Sequence, residues 1–329
     1  MYPLELIHSV RLITDVCLEV TPGQNVLCIA DREENMEVVT LIAAECKAKG
    51  AEVAVVLIEP RKSYFHEPPR SIARAMKEAD VIIVMAPWPL MHTNARREAS
   101  AANVIVAALG GGITKEYLAA LDLTREDLLE VRTLTEKIAQ RITAASSANL
   151  ITQAGTNLTM SLEGRSGLAL VPFGKRGAPP CVVPDYAEAA CAPIEDSAEG
   201  VAVIDGTMIG AENFEGPVEE PFEIHFRKGR VVKIGGGKDA RRLESLLNTL
   251  EEGARNLGEL GVNSNHKVPK RLRGTRTDMR IGGHIHIALG YNDNLGGKTK
   301  VNSHLDFLVT NATLLLDGEP ILENGSFKI

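Results

Sequence analysis

Aromatic residues are scarce in this chain. They make up 4% of its 329 residues, with a single tryptophan, Trp88. That argues against a stacking platform for single-stranded nucleic acid. Positive charge is also in deficit, 36 Lys and Arg against 43 Asp and Glu, for a net charge of −7. Such a surface suits neither a nucleic acid nor an anionic membrane, so neither is expected as a partner. No apolar run approaches the roughly 18–20 residues that a membrane-spanning helix needs. The opening Met-Tyr-Pro-Leu-Glu-Leu lacks the basic stretch and apolar run of a signal peptide. The five cysteines are odd in number and form no CxxC pair, and several sit in apolar contexts where cysteine acts as a small hydrophobe. A reduced, cytoplasmic protein is expected. Nucleophile motifs are missing too: Gly164-Arg165-Ser166-Gly167 is not GxSxG, and Gly110-Gly111-Gly112 has neither dinucleotide nor P-loop spacing.

What is present is ordinary globular composition, 44% hydrophobic and 24% charged, at a length suited to two domains. The first part alternates apolar runs with helical periodicity. Asn25–Ala30, Val53–Ile58, Val81–Ala86 and Val104–Ala108 read as buried strands, and Met36–Lys49, Ile72–Lys77 and Asn94–Ala101 as helices. Strands apolar on both faces, separated by helices, predict a doubly wound parallel sheet. A long amphipathic stretch, Leu123–Ala145, reads as the bridge to a second domain. Beyond it come short alternating segments at Asn157–Leu162, Val201–Ile204, Phe222–Arg227, Val231–Ile234, Gly283–Leu289, Ser303–Val309 and Thr313–Leu316. A leucine-rich helix is predicted over Ala240–Leu257. The expected fold class is α/β: a Rossmann-like domain over residues 1–148, then a strand-rich α+β domain over 149–329 that carries the site.

Three of the eight histidines fall in the short span from Gly282 to Asp306. Strand alternation puts His284 and His286 on one face and Ile285, Ile287 and Leu289 on the other, and it pairs His304 with Asp306. The Tyr291–Gly297 segment must turn between these strands. Two adjacent strands then bring His286 near His304 and Asp306, and two imidazoles with a carboxylate suffice to hold a divalent metal. Glu259, placed at the end of the leucine-rich helix, and Glu188, between prolines, are acids among small and apolar residues. Such acids are costly to bury without a cation or hydrogen bonds. Lys- and Arg-rich sequence precedes the histidine strand, and Arg280 is its best placed member to bind a substrate carboxylate. His284 is a candidate substrate contact.

The C-terminal half resembles the thermophilic metallopeptidase family that contains aminopeptidase T and aminopeptidase S. The matching pieces are Thr156-Asn157-Leu158-Thr159, the PDYAEAACAP of Pro184–Pro193, the NLGELGVN of Asn256–Asn263, the HIALG of His286–Gly290, Gly296-Gly297 and His304-Leu305-Asp306. The resemblance implies a dinuclear site held by Glu188, Glu259, His286, His304 and Asp306. The implied cofactor is zinc, cobalt or manganese, the implied reaction is hydrolysis of an amide bond in a peptide or small substrate, and the implied assembly is a homodimer. One departure is clear. The tyrosine that this family places seven residues after the first metal histidine is Asp293 here, and Tyr291 stands two residues early. The chain also resembles the ring-opening 2,5-dihydroxypyridine 5,6-dioxygenases, which implies instead a single iron(II) held by an HxD pair and a further histidine. In that pattern the further histidine falls where this chain has Glu259.

Overall fold

Four apolar runs of the first part become strands of one sheet. The computed structural model describes residues 3–31, 33–211 and 214–329. It divides into two units, Met1–Leu129 with Val171–Tyr186, and Glu130–Leu170 with Ala187–Ile329. In the first unit the strand order is Glu52–Leu57, Asn25–Ala30, Val81–Met85, Ile105–Leu109, Cys181–Val182. Every neighbouring pair is parallel. The two inner strands Val81–Met85 and Ile105–Leu109 are buried throughout, as their uninterrupted apolar sequence requires. Helices follow at Glu33–Ala48, Arg70–Glu78 and Asn94–Ala101, and the Thr93 side chain caps the last by accepting a hydrogen bond from the Arg96 amide at 3.2 Å. The sheet is doubly wound, as the alternation predicts.

One strand departs from expectation. Glu52–Leu57 is apolar enough to be buried, yet it lies at the sheet edge, with Val55 41% and Leu57 50% exposed. Its composition cannot reveal whether a neighbour covers it.

The second unit is built on two antiparallel sheets, one of eight strands and one of seven. Both contribute to one hydrophobic core, in which Leu150, Leu158 and Ile224 from one sheet share a cluster with Leu260, Ile287 and Phe307 from the other. The predicted leucine-rich helix is shorter than its pattern suggests. It runs Lys238–Leu247, a 3-10 turn follows at Glu252–Arg255, and Leu257–Asn263 is a strand. Thr249 lies just past the helix, its hydroxyl donating to the Leu246 carbonyl at 2.7 Å. From Leu257 the apolar side chains have a different use, as one face of a fully buried strand. No helix among the described residues is long and apolar enough to cross a membrane.

Phe307 is fully buried and meets Phe214 edge to face at 6.1 Å. Phe307→Ala is expected to cost about 3–5 kcal/mol through the cavity it leaves. Urea denaturation monitored in the far ultraviolet measures it, and a loss under about 1 kcal/mol would contradict this assignment of the core.

Candidate metal centre

Four consecutive strands of the seven-stranded sheet carry the site: Glu188–Cys191, Leu257–Asn263, Ile285–Gly290 and His304–Val309. Their neighbouring pairs are all antiparallel. Alternation sorts the side chains. Ala189, Cys191, Leu260, Val262, Ile285, Ile287, Leu289, Leu305, Phe307 and Val309 join the hydrophobic core. The opposite face then receives Glu188, Gly261, Asn263, His286, Ala288, His304 and Asp306. The register completes the grouping: Asn263 lies opposite Glu188, Gly261 opposite His286, and Ala288 opposite both Glu259 and Asp306.

Glu259 reaches this face only because the strand is irregular. Strict alternation would put Leu257 and Glu259 on the same side. The register instead pairs Leu257 with Leu289 and Glu259 with Ala288, so Gly258 is an extra residue between them. Such a bulge re-aims the side chains that follow it. Leu257 thereby stays in the core while Glu259 turns to the site. Glycine is needed at the bulge, because a Cβ there would lie 2.8 Å from the Gly290 carbonyl oxygen. The expectation that Glu259 ends a helix is therefore corrected: it sits on a central strand.

The five side chains meet. His286 Nε2 stands 3.5 Å from Glu188 Oε1 and 3.5 Å from Glu259 Oε1, while His304 Nε2 stands 3.1 Å from Glu259 Oε2 and 3.1 Å from Asp306 Oδ1. Two groups that could hold a metal ion result, Glu188–Glu259–His286 and Glu259–His304–Asp306, and they share Glu259. Each of the two Glu259 oxygens faces a different histidine. All but Asp306 are buried, and Asp306 is nearly so.

Both imidazoles are held by their other nitrogen. His286 Nδ1 is 2.9 Å from Asn263 Oδ1, and His304 Nδ1 is 2.8 Å from the Tyr291 backbone oxygen. A carbonyl oxygen only accepts, so Nδ1 carries the proton in each ring, and Nε2 is left to a proton or a metal. Gly261 provides the room, since a Cβ on it would collide with the His286 ring and lie 2.8 Å from Glu188 Oε1. Asn263 and Gly261 were not legible as site residues. Their signal is their place four and two residues, respectively, beyond Glu259 on a strand that had to be recognised first.

The electrostatics reflect crowded acids. Burial pulls the His286 imidazole down, but the facing Glu188 and Glu259 carboxylates outweigh it and raise it to about 9. His304 is likewise lowered by burial and then carried well above its ordinary range by Asp306 and Glu259. Burial pushes Glu259 up, but its bonds to the two histidines hold it well below the usual carboxylate range. Cys191, on the core side, is not a thiolate: burial first, then the Glu259 charge, push its thiol up to about 12.

The remaining expected residues flank the strand Ile285–Gly290 along the chain. Tyr291 is buried, and its backbone oxygen accepts a hydrogen bond from His304 Nδ1. Arg280 is buried at the end of the 3-10 turn Arg276–Arg280, just before the histidine strand. His284 is buried on the approach to the same strand, its imidazole lowered by burial and by the Lys270 charge. Asp293 is ion-paired to Lys300 at 3.0 Å. Near Asp306, whose charge acts on both partners, Arg276 is ion-paired with Glu215.

Protein stripped of metal by a chelator is expected to lose stability as pH rises. A folded-state value near 9 for His286, above its ordinary 6.5, stabilises fully below about pH 6.5 and is lost as pH passes about 9. The lowered Glu259 contributes above its ordinary 4.5 and fails on acidification. Denaturation midpoints across this range read the effect, and a flat alkaline limb would contradict it.

Comparison with known proteins places the fold. A family model for 2,5-dihydroxypyridine 5,6-dioxygenase matches residues 6–329. Among curated proteins, Aminopeptidase 2 of Geobacillus stearothermophilus is 26% identical over 151 residues, 38% of this chain. The match spans only 36% of that relative's length. The structure of 2,5-dihydroxypyridine dioxygenase from Pseudomonas putida KT2440 superposes with a TM-score of 0.79 at 18% identity, covering 98% of this chain and 96% of the other. Wild-type AmpT from Thermus thermophilus gives 0.71 at 19% identity, covering 100% of both chains. At such identities these structures speak for the fold alone, which is the α/β class read from the sequence.

Proposed function

The chain belongs to the 2,5-dihydroxypyridine 5,6-dioxygenase family; from the ligand set of its own site, rather than from that family name, we propose that it is a metal-dependent enzyme that hydrolyses an amide bond in a small or N-terminally free substrate. The observation that carries this reading is the split of Glu259, one oxygen toward His286 and the other toward His304. A carboxylate so placed bridges two ligand groups. The donor set fits hard or borderline divalent cations, with three carboxylates and two imidazoles presenting Nε2. Glu188, Glu259 and His286 would hold one ion, and Glu259, His304 and Asp306 the other. What zinc, cobalt or manganese supplies there is Lewis acidity, which makes a water nucleophilic near neutral pH and polarises a carbonyl.

The chain's own residues do the rest. Asn263 and the Tyr291 oxygen keep the protons on Nδ1 of their histidines. Such outer partners orient ligands and tune their basicity. The core beneath the sheet fixes the strands that carry the ligands. His284, Arg280 and the Tyr291 side chain are assigned to substrate contacts at the edge of the cluster. The metallopeptidase resemblance implies a homodimer, and the five free cysteines suit a reduced, cytoplasmic setting.

A second reading has its own support. The family match extends over almost the whole chain, and His286, His304 and Asp306 alone make the two-histidine, one-carboxylate set of iron(II) oxygenases. On that reading these three residues would hold one iron(II), which would supply oxygen activation for opening a hydroxylated pyridine ring.

Elemental analysis and reconstitution separate the two. Protein loaded with zinc, cobalt or manganese is expected to bind two ions per chain and to release amine from small amides. One iron per chain after anaerobic loading, with oxygen uptake on a hydroxylated N-heterocycle, would overturn the hydrolase. Asn263→Ala is expected to weaken metal binding about 10–100-fold in chelator competition, while unchanged affinity would remove Asn263 from the centre.

A further inference from the structure

The two histidines of the centre are oriented by different means. His286 leans on Asn263, which sits on the neighbouring strand of the same ladder. His304 leans on the carbonyl of Tyr291, the first residue past the strand Ile285–Gly290. That carbonyl opens the connection to the strand His304–Val309, so its direction depends on how the connection is held. Part of the hold is internal. The fully buried Asn292 accepts from the Thr299 amide through Oδ1 at 2.8 Å and donates its own amide to the Thr299 carbonyl at 3.2 Å. Its carbonyl accepts from the Leu295 and Gly297 amides, each at 3.0 Å. Leu295 in turn packs with Ala190 and Ala192.

The other part comes from outside the connection. Arg165 and Glu195 form an ion pair at 2.6 Å, with side chains only 9% and 23% exposed. Each partner also grips the turn. Arg165 Nη1 donates to the Gly296 carbonyl, and Glu195 Oε1 accepts from the Lys298 amide at 2.5 Å. Both are anchored to the strand Asn157–Ser161, which belongs to the eight-stranded sheet. Arg165 closes the turn just past that strand, its amide donating to the Leu162 carbonyl at 2.9 Å. The loop that carries Glu195 is bonded to the strand's end, Ile194 amide to Ser161 carbonyl at 2.9 Å and Ser161 amide to Ser197 hydroxyl at 3.0 Å. The pair therefore ties the histidine turn of one sheet to the frame of the other. A largely desolvated pair gives little net stability, and what a fork of this kind secures is geometry.

We propose that Arg165 and Glu195 are positioning residues for His304: by clasping the turn at Gly296 and Lys298 they fix the Tyr291 carbonyl that aims its imidazole. The metal position at Glu259, His304 and Asp306 then depends on this clasp, and the position at Glu188, Glu259 and His286 does not. This rests on the reading of the cluster as a metal centre. Neither residue touches the centre, so both act through the turn, as outer partners of metal ligands do.

Two measurements test it. In chelator competition with zinc, Glu195→Ala is expected to weaken one of two bound ions about tenfold and to leave the other within about twofold. Arg165→Lys, which keeps the charge and the fold but loses the fork that spans Glu195 and Gly296, is expected to do the same. Asn263→Ala, acting on the other histidine, weakens the opposite ion. Glu195→Gln, whose amide oxygen still accepts from the Lys298 amide, restores the affinity. The second measurement needs no metal. In metal-free protein labelled with heavy nitrogen at histidine, the His304 Nδ1 proton is expected to resist solvent exchange in the wild type and to lose that protection in Arg165→Lys, while the His286 proton keeps it. Equal weakening of both ions, no change in either, or a His304 proton still protected in Arg165→Lys would overturn the proposal. A wild-type protein that takes up a single ion defeats the two-ion reading by itself, and the His304 proton then decides on the clasp alone.

Discussion

Three carboxylates and two imidazoles share one small, mostly buried patch, and the second unit is organised around keeping them there. Carboxylates this close repel one another, and each has given up hydration that the protein must replace. Protons on the two Nε2 atoms supply part of the compensation, which is why both histidines are carried above their ordinary range. Divalent cations at the same positions would compensate more charge and engage the same lone pairs. The arrangement is costly as a structural feature and economical as a metal centre.

The sheet bears this cost through its other face. Ile285, Ile287 and Leu289 alternate with His284, His286 and Ala288, and Leu305, Phe307 and Val309 alternate with His304 and Asp306. Every ligand strand is thus fixed by burial of the residues on either side of its ligand. Glycine at 261 and the bulge at Gly258 adapt this regular frame to the site, one by giving the imidazole space and the other by turning Glu259 out of the core. Both features act through backbone geometry and cost the core little.

Much of this was legible in the sequence because strand alternation is a short-range rule. His286, His304 and Asp306 could be brought together from their spacing and one turn. The doubly wound sheet likewise follows from apolar runs separated by helical periodicity. The errors have a common cause. Leucines at helical spacing from Leu243 onward continue in pattern past the true end of the helix at Leu247, and Gly258 hides the alternation of the strand beyond it. Glu259 was therefore read on the wrong element. Glu188 lies on a four-residue strand, Glu188–Cys191, too short to announce itself. Cys181–Val182 adds a strand to the first sheet from far along the chain, and no local pattern encodes such a pairing. For these acids, only the family likeness connected residues that the register later brought within bonding distance.

The shared role of Glu259 is the centre of the account. Anomalous diffraction at the zinc edge, from crystals grown with excess zinc, tests it most directly. Two peaks are expected, one among Glu188, Glu259 and His286 and the other among Glu259, His304 and Asp306, with one Glu259 oxygen on each. A single peak on His286, His304 and Asp306 with Glu259 turned aside would contradict it.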